Sequence, residues 1–242
     1  MADYLAGRGF DVAIHFDRSA EEAEATAARV RGAGCRAAVL QADLLDESAA
    51  AGLVGRAAAE LGGAISLLVN NASIFEHDTL ASATKDSWDR HIGSNLRAPF
   101  LTTQAFAAQA PKADRSGEQP VARSMVLNMI DQRVLKHTPE FMTYTIAKMG
   151  LWAFTRTAAQ ALAPDIRVNA IGPGPTLQGA RQTAEHFTRQ RAATVLERGA
   201  DPGEICAALG YLLDAPSVTG QLICVDGGQH LNWRTTDVLG VE

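Results

Sequence analysis

The chain has 242 residues, 47% of them hydrophobic, and a formal charge of −5, which suits one α/β domain with a sizeable core. No uninterrupted apolar run reaches about 18 residues, so no transmembrane helix is expected, and the N-terminus lacks the basic-then-apolar pattern of a secretory signal. The acidic balance, without a basic stripe, argues against nucleic acid as the main partner. Cys35, Cys206 and Cys224 are odd in number and widely spaced, which fits reduced thiols in a cytoplasmic protein and gives no metal-ligand spacing.

Short β-like runs alternate with longer helical ones, the pattern of a parallel sheet covered by helices on both faces. Strands are expected at residues 11–16, 36–40 and 65–70, with helices over 20–31 and 46–61, the second stopped by Gly62-Gly63. A long helix is expected from Ser87 to Gln109, with Pro99 taken up by a kink, followed by a surface loop over 111–120. Further strands are expected at 124–129, 166–171 and 221–225, and helices at 142–162, 179–197 and 202–213. Gly172-Pro173-Gly174-Pro175 forces a rigid loop, Asp226-Gly227-Gly228 closes the last strand, and neither a repeat nor a domain linker is present. One domain spanning 1–242 is expected.

Tyr144 and Lys148 lie four apart on a predicted helix, so their side chains share a face. A phenol with an ordinary pKa of about 10 is a poor acid–base group at neutral pH, and a neighbouring ammonium favours its ionised form. Asp131 stands just after a strand end, where α/β sheets place their ligands. Asn70-Asn71-Ala72 and Pro173-Gly174 follow two other strands, and Asn95 sits in a predicted helix. Polar and turn residues therefore recur along one edge of the sheet.

These residues, with Tyr144-Thr145-Ile146-Ala147-Lys148, Arg167-Val168-Asn169 and Val225-Asp226-Gly227-Gly228, make the sequence resemble the short-chain dehydrogenase/reductase family from near Met1 to about Leu231. The resemblance implies a doubly wound, Rossmann-like parallel sheet binding a nicotinamide dinucleotide. It implies Tyr144 as the general acid or base and Lys148 as the residue that holds the nicotinamide ribose and lowers the tyrosine pKa. Asn95 would support a water relay to Lys148, and Pro173, Gly174 and Thr176 would line the nicotinamide. Asn71, Ala72 and Ser73 fall among the cofactor-binding positions.

Asp131 departs from the serine that most of the family carries. An ionised carboxylate accepts hydrogen bonds and cannot donate, so Asp131 suits a substrate with N–H donors or one needing a proton delivered to nitrogen. At this position, and in His15-Phe16-Asp17-Arg18-Ser19, Asn70-Asn71-Ala72-Ser73-Ile74-Phe75 and Asn128-Met129-Ile130-Asp131, the chain resembles the pteridine reductase branch. The resemblance implies that Phe75 stacks on a pterin, a role an aromatic face can fill. Arg18 and Ser19, with His15, stand where a 2′-phosphate would be accepted, so NADP(H) is the expected cofactor. Asp17 reads as a turn residue or as a ribose carboxylate, and Asp43-Leu44 as the adenine edge, with Asp43 alternatively a helix N-cap.

The family's opening strand and its Thr-Gly-rich turn, which brings backbone against the pyrophosphate, are expected to be absent, with Met1-Ala2-Asp3-Tyr4-Leu5-Ala6-Gly7 as the later part of the first helix. Met1 is then expected to be an internal methionine of a longer chain, and two ladders of sheet groups to be left unpaired. The leading expectation is a cytoplasmic NADPH-dependent pteridine reductase. A general carbonyl or 3-oxoacyl reductase and a cofactor-impaired binding or scaffold protein are the alternatives. His186 and Phe187 fall in a lid over about 175–200, and the tail from Gln229, with Trp233 and Arg234, at subunit contacts of a homotetramer implied by the resemblance.

Overall fold

Ser124–Met129 (β4) is buried at every position because it runs through the middle of a parallel sheet, with cover on both faces. Its alternate residues show this directly. Met125, Leu127 and Met129 face one core with Leu5, Ile205, Leu209 and Leu212, while Val126 faces another with Val54, Phe106, Ala158 and Val168. The computed structural model describes residues 1–179 and 182–233, so the tail from Arg234 on lies outside the described residues.

In chain order the helices are α1 (Ala2–Ala6), α2 (Ala20–Gly32), α3 (Glu47–Leu61), α4 (Lys85–Ile92), α5 (Ala98–Gln109), α6 (Met142–Leu162), α7 (Ala184–Ala192) and α8 (Pro202–Asp214). The other strands are β1 (Val12–Phe16), β2 (Ala37–Gln41), β3 (Leu67–Asn70), β5 (Ile166–Pro173) and β6 (Leu222–Val225). β3, β4, β5 and β6 form one parallel sheet in that order. Helices α3, α5 and α6 cover one face, and α1 and α8 cover the other.

The expectation of a missing first strand is corrected. The chain forms a first strand of its own, β1, paired in parallel with β2 from Val12 opposite Ala37 to Phe16 opposite Gln41. It is entered from α1 through Gly9, whose φ of 83° is one that glycine adopts without strain. The departure lies in continuity, since the described strands divide into a two-stranded and a four-stranded sheet. β1 and β3 both line a cavity of about 920 Å³, and every residue of these two strands is half-buried. The smaller sheet is held to the larger by helices. Leu5 of α1 packs with α8, and Arg8 makes a two-pronged ion pair with Asp214.

The single helix expected over Ser87–Gln109 is three pieces: α4, a π-helical turn at Gly93–Arg97, and α5. Pro99 lies in the first turn of α5, directly after the π-helical turn, and having no N–H it cannot donate to the carbonyls of that turn. Among the described residues, the helix expected over 179–197 is confined to Ala184–Ala192. Asp46, and not Asp43, caps α3, accepting from the Ser48 and Ala49 amides. Among the described residues no helix is long and apolar enough to cross a membrane.

Phe106 is fully buried between α3, β4 and α6. Phe106→Ala is expected to lower the unfolding free energy by about 3–5 kcal/mol in a urea titration. A loss below about 1 kcal/mol would show that this cluster is not a tightly packed core.

Candidate active site

The chemistry gathers at the carboxyl ends of β3 and β4. Asn70, the last residue of β3, and Asn128, the next to last of β4, pair opposite each other after apolar runs. The Asn70 amide donates to Asn128 Oδ1 (2.8 Å), Asn128 donates to Thr155 Oγ1 on α6 (2.9 Å), and Thr102 Oγ1 of α5 donates to Asn70 Oδ1 (2.8 Å). This satisfied polar ladder fixes α6 against the strand ends, because any partner left alone in the interior would be costly.

Helix α6 carries Tyr144 and Lys148 one turn apart, both buried. The Tyr144 hydroxyl donates to Asp131 Oδ2 at 3.0 Å. Asp131 stands two residues past the end of β4 and is held by its other oxygen, which accepts the Arg133 amide (2.8 Å). Burial pushes the Asp131 carboxyl above its ordinary range. Burial, followed by the Asp131 charge and hydrogen bond, pushes the Tyr144 phenol well above its own. The Arg133 charge acts in the opposite direction and is outweighed. Lys148 Nζ donates to the Met129 carbonyl (2.8 Å), and burial brings its pKa down to about 8.

Phe75 comes to the same place from the loop after β3. Its ring stacks on Phe141 at 4.3 Å and 8°, and meets Tyr144 edge-on at 4.7 Å, with 43% of the residue exposed. The nearby Ser73 side chain acts to lower the Tyr144 pKa, by less than burial raises it. Asn95 lies in the π-helical turn and grips Ile74 from both sides, accepting from its N–H (2.9 Å) and donating to its carbonyl (2.7 Å). Asp131, Tyr144, Lys148, Phe75, Ser73 and Asn95 are thus brought together.

The positions expected to bind cofactor lie beside this group. His15, Arg18, Ser19, Leu44, Asn71, Ala72 and Ser73 line the 920 Å³ cavity, and Asp43 lines an adjoining one of about 290 Å³ that also includes His15, Arg18 and Ser73. Tyr144, Lys148 and Asp131 line neither, and Ser73 is where the cavities and the proton-bearing groups meet. Arg18 has 91% of its side chain exposed and is paired with Asp17. Ser19 is the N-cap of α2 but makes no side-chain capping bond. His15 Nε2 contacts the Ala42 carbonyl (2.9 Å), and Asp43 accepts the Leu45 amide (2.9 Å). Pro173 ends β5, and Thr176 donates to the Gly174 carbonyl (3.1 Å). A Cβ on Gly174 would lie 2.6 Å from Asp226 Cα, so only glycine lets these two loops touch.

Residues 1–230 match the family model described as Enoyl-(Acyl carrier protein) reductase. The chain belongs to this family of short-chain dehydrogenases/reductases. This short-chain dehydrogenase/reductase is similar to FolM alternative dihydrofolate reductase 1 from Brucella suis, whose crystal structure is in complex with NADP. The two are 44% identical with a TM-score of 0.89, over 98% of this chain and 91% of that one. The Brucella canis protein, also complexed with NADP, is 43% identical with a TM-score of 0.89, over 98% and 90%. The 3-oxoacyl-[acyl-carrier-protein] reductase FabG of Staphylococcus aureus is 27% identical over 236 residues, 96% of this chain and 92% of that protein.

Two residues at the site escape a reading of the sequence. Phe141 precedes α6 with φ of 56°, and Arg133 lies over the other aromatic partner of Phe75, with its guanidinium 5.1 Å from the Phe141 ring. The only sequence signal for Phe141 is an aromatic three residues before Tyr144, which is too common to single it out. Asp131→Asn is expected to lower the pH at which Tyr144 ionises, since it removes a like charge beside the phenolate. Ultraviolet difference titration against Tyr144→Phe measures this, and an unchanged or higher midpoint would contradict the electrostatics.

Proposed function

We propose that this chain is an NADPH-dependent oxidoreductase that reduces a dihydropterin or related pteridine. The observation that carries this reading is the hydrogen bond from Tyr144 to Asp131, at a position where a donor to a carbonyl oxygen would be needed for ketone chemistry. The likeness to two FolM proteins at 43–44% identity supports it.

The residues present fit the cofactor. Arg18 and the Ser19 hydroxyl, at the start of a 13-residue helix, match a 2′-phosphate in charge and hydrogen-bonding capacity. Lys148 donates one of its hydrogens to Met129 and keeps others for ribose hydroxyls. Pro173, Gly174 and Thr176 would lie beside the nicotinamide. When bound, NADPH supplies the hydride.

The chain's own groups handle the proton. Because burial and Asp131 hold the Tyr144 phenol above its ordinary pKa, the hydroxyl keeps its proton through neutral pH and can deliver it to a ring nitrogen. The Asp131 carboxyl accepts N–H groups of a flat heterocycle, and its raised pKa lets it carry a proton back to the tyrosine. Phe75 offers a platform for the ring. The π-helical turn loosens the regular main-chain bonding at Asn95, which suits support of a water relay toward Lys148. The segment after β5, with α7 among its described residues, would serve as the lid expected over about 175–200. Helix α7 within it buries none of its residues, as an element that shifts over substrate requires. The exposed apolar side chains Phe100, Ile146 and Met149 on α5 and α6 support a homotetramer, and the free thiols of Cys35, Cys206 and Cys224 support a cytoplasmic setting.

A general carbonyl or 3-oxoacyl reductase is the second reading, favoured by the likeness to FabG. A panel of pterins, folates and ketones with NADPH separates the two. Tyr144→Phe is expected to cut turnover by about 10²- to 10⁴-fold while leaving NADPH binding nearly intact. Asp131→Ser should reduce pterin turnover more than ketone turnover, and equal losses on both would remove the case for a nitrogen-bearing substrate. Arg18→Ala should weaken NADPH binding by about tenfold or more with little change for NADH. Equal changes for the two cofactors would take Arg18 away from the 2′-phosphate.

A further inference from the structure

Between β3 and α4 the chain runs as an irregular segment whose residues alternate in the partners they find. Ile74 is gripped by Asn95. Glu76 donates its amide to His91 Nε2 (3.1 Å) and pairs its carboxylate with Arg90 (2.8 Å). Asp78, 2% exposed, accepts the Thr143 hydroxyl (2.5 Å) and amide (3.2 Å). The intervening residues turn the other way, toward Phe141. Phe75 stacks on it, and His77 meets it edge-on at 5.1 Å.

Helix α6 starts without a capping side chain of its own, because its N-cap is Phe141. Asp78 fills that role from across the fold. Its carbonyl accepts the Phe141 amide (2.8 Å) and its carboxylate accepts the Thr143 amide, so a negative charge sits at the positive end of the helix. His91, fully buried, completes the network through Nδ1, 2.7 Å from Thr143 Oγ1.

The donor directions follow from chemistry. A backbone N–H can only donate, so His91 Nε2 accepts from Glu76 and the ring proton is on Nδ1. His91 therefore donates to Thr143, and Thr143 donates to Asp78. Burial would raise the Asp78 carboxyl, but the bonds from the Thr143 hydroxyl and amide help to hold it below its ordinary value. Burial lowers the His91 pKa and keeps the ring neutral.

We propose that Asp78, Thr143 and His91 are positioning residues that lock the Phe75-bearing loop to the first turn of α6, and so fix Phe75 and Tyr144 relative to each other. The proposal rests on the reading of Tyr144 and Phe75 given above. It extends that reading to three side chains that touch neither substrate nor cofactor.

Asp78→Asn is the sharpest variant. It preserves volume but leaves one acceptor oxygen for two Thr143 donors, so either the Thr143 amide or its hydroxyl meets an N–H where it had an acceptor. Thr143→Val removes the hydroxyl, and Thr143→Ser retains it. In the full chain, Asp78→Asn and Thr143→Val are expected to lower kcat about tenfold to a hundredfold with NADPH affinity within about threefold of wild type, as displacement of the reacting groups alone requires. Thr143→Ser should recover most of kcat. Amide exchange at Glu76 and over Met142–Thr145 should rise about tenfold in the first two variants, with β4 and β5 unchanged. Unchanged exchange at those amides overturns the proposal, as does faster exchange with wild-type kcat. Exchange raised throughout β4 and β5 also overturns it, by showing a general structural role. A wild-type enzyme with no turnover on any pterin, folate or ketone overturns the reading of Tyr144, and the exchange pattern alone then decides the network.

Discussion

The hydrogen bond from Tyr144 to Asp131 is the contact around which the rest of the site is arranged. It joins a helix to a strand end in a setting poor in water, where burial raises the pKa of both groups and the Asp131 charge raises the phenol further. Such a pair needs rigid supports, because a small displacement in a low-dielectric interior changes a large electrostatic energy. The Asn70–Asn128–Thr155 ladder supplies support from beneath. The Arg133 amide fixes the carboxylate from the side, and Ser73, near the phenol, lines the neighbouring cavities.

Burial divides the work between the two titratable residues of α6. Tyr144 is moved up, away from ionisation, while Lys148 is moved down to about 8. Desolvation disfavours the charged form of each, so one cause gives opposite directions. Lys148 stands as a buried donor anchored on the Met129 carbonyl.

Much of this was legible in the sequence where the signal is local. The bounds of α6 and β4 follow from apolar periodicity, and the juxtaposition of Asp131 with Tyr144 follows from a strand end and a helix face. The break at Gly93–Arg97 was not legible. Pro99 announces a disturbance, but a π-helical turn is chosen by what Asn95 and His91 must reach on another segment. The division of the strands into two sheets was equally hidden, and the expectation of a missing first strand failed with it, because pairing between β1 and its neighbours is decided by contacts distant in sequence. Asp78, His91 and Thr143 lie in three separate elements with no shared motif, and only the fold brings them together.

The alternation along 74–78 makes this stretch behave as a strand whose ladder is built from side chains instead of backbone. Its two-residue period sets a parity. Removing or adding one residue between Ile74 and Asp78 would exchange the anchored set with the aromatic set, turning Phe75 into the protein and a charged side chain toward the reacting groups. Beyond Asp78 no such parity applies, and the chain is at liberty to lengthen or shorten before it enters α4. Variation in length among relatives of this fold therefore has a natural place on one side of Asp78 and a barrier on the other.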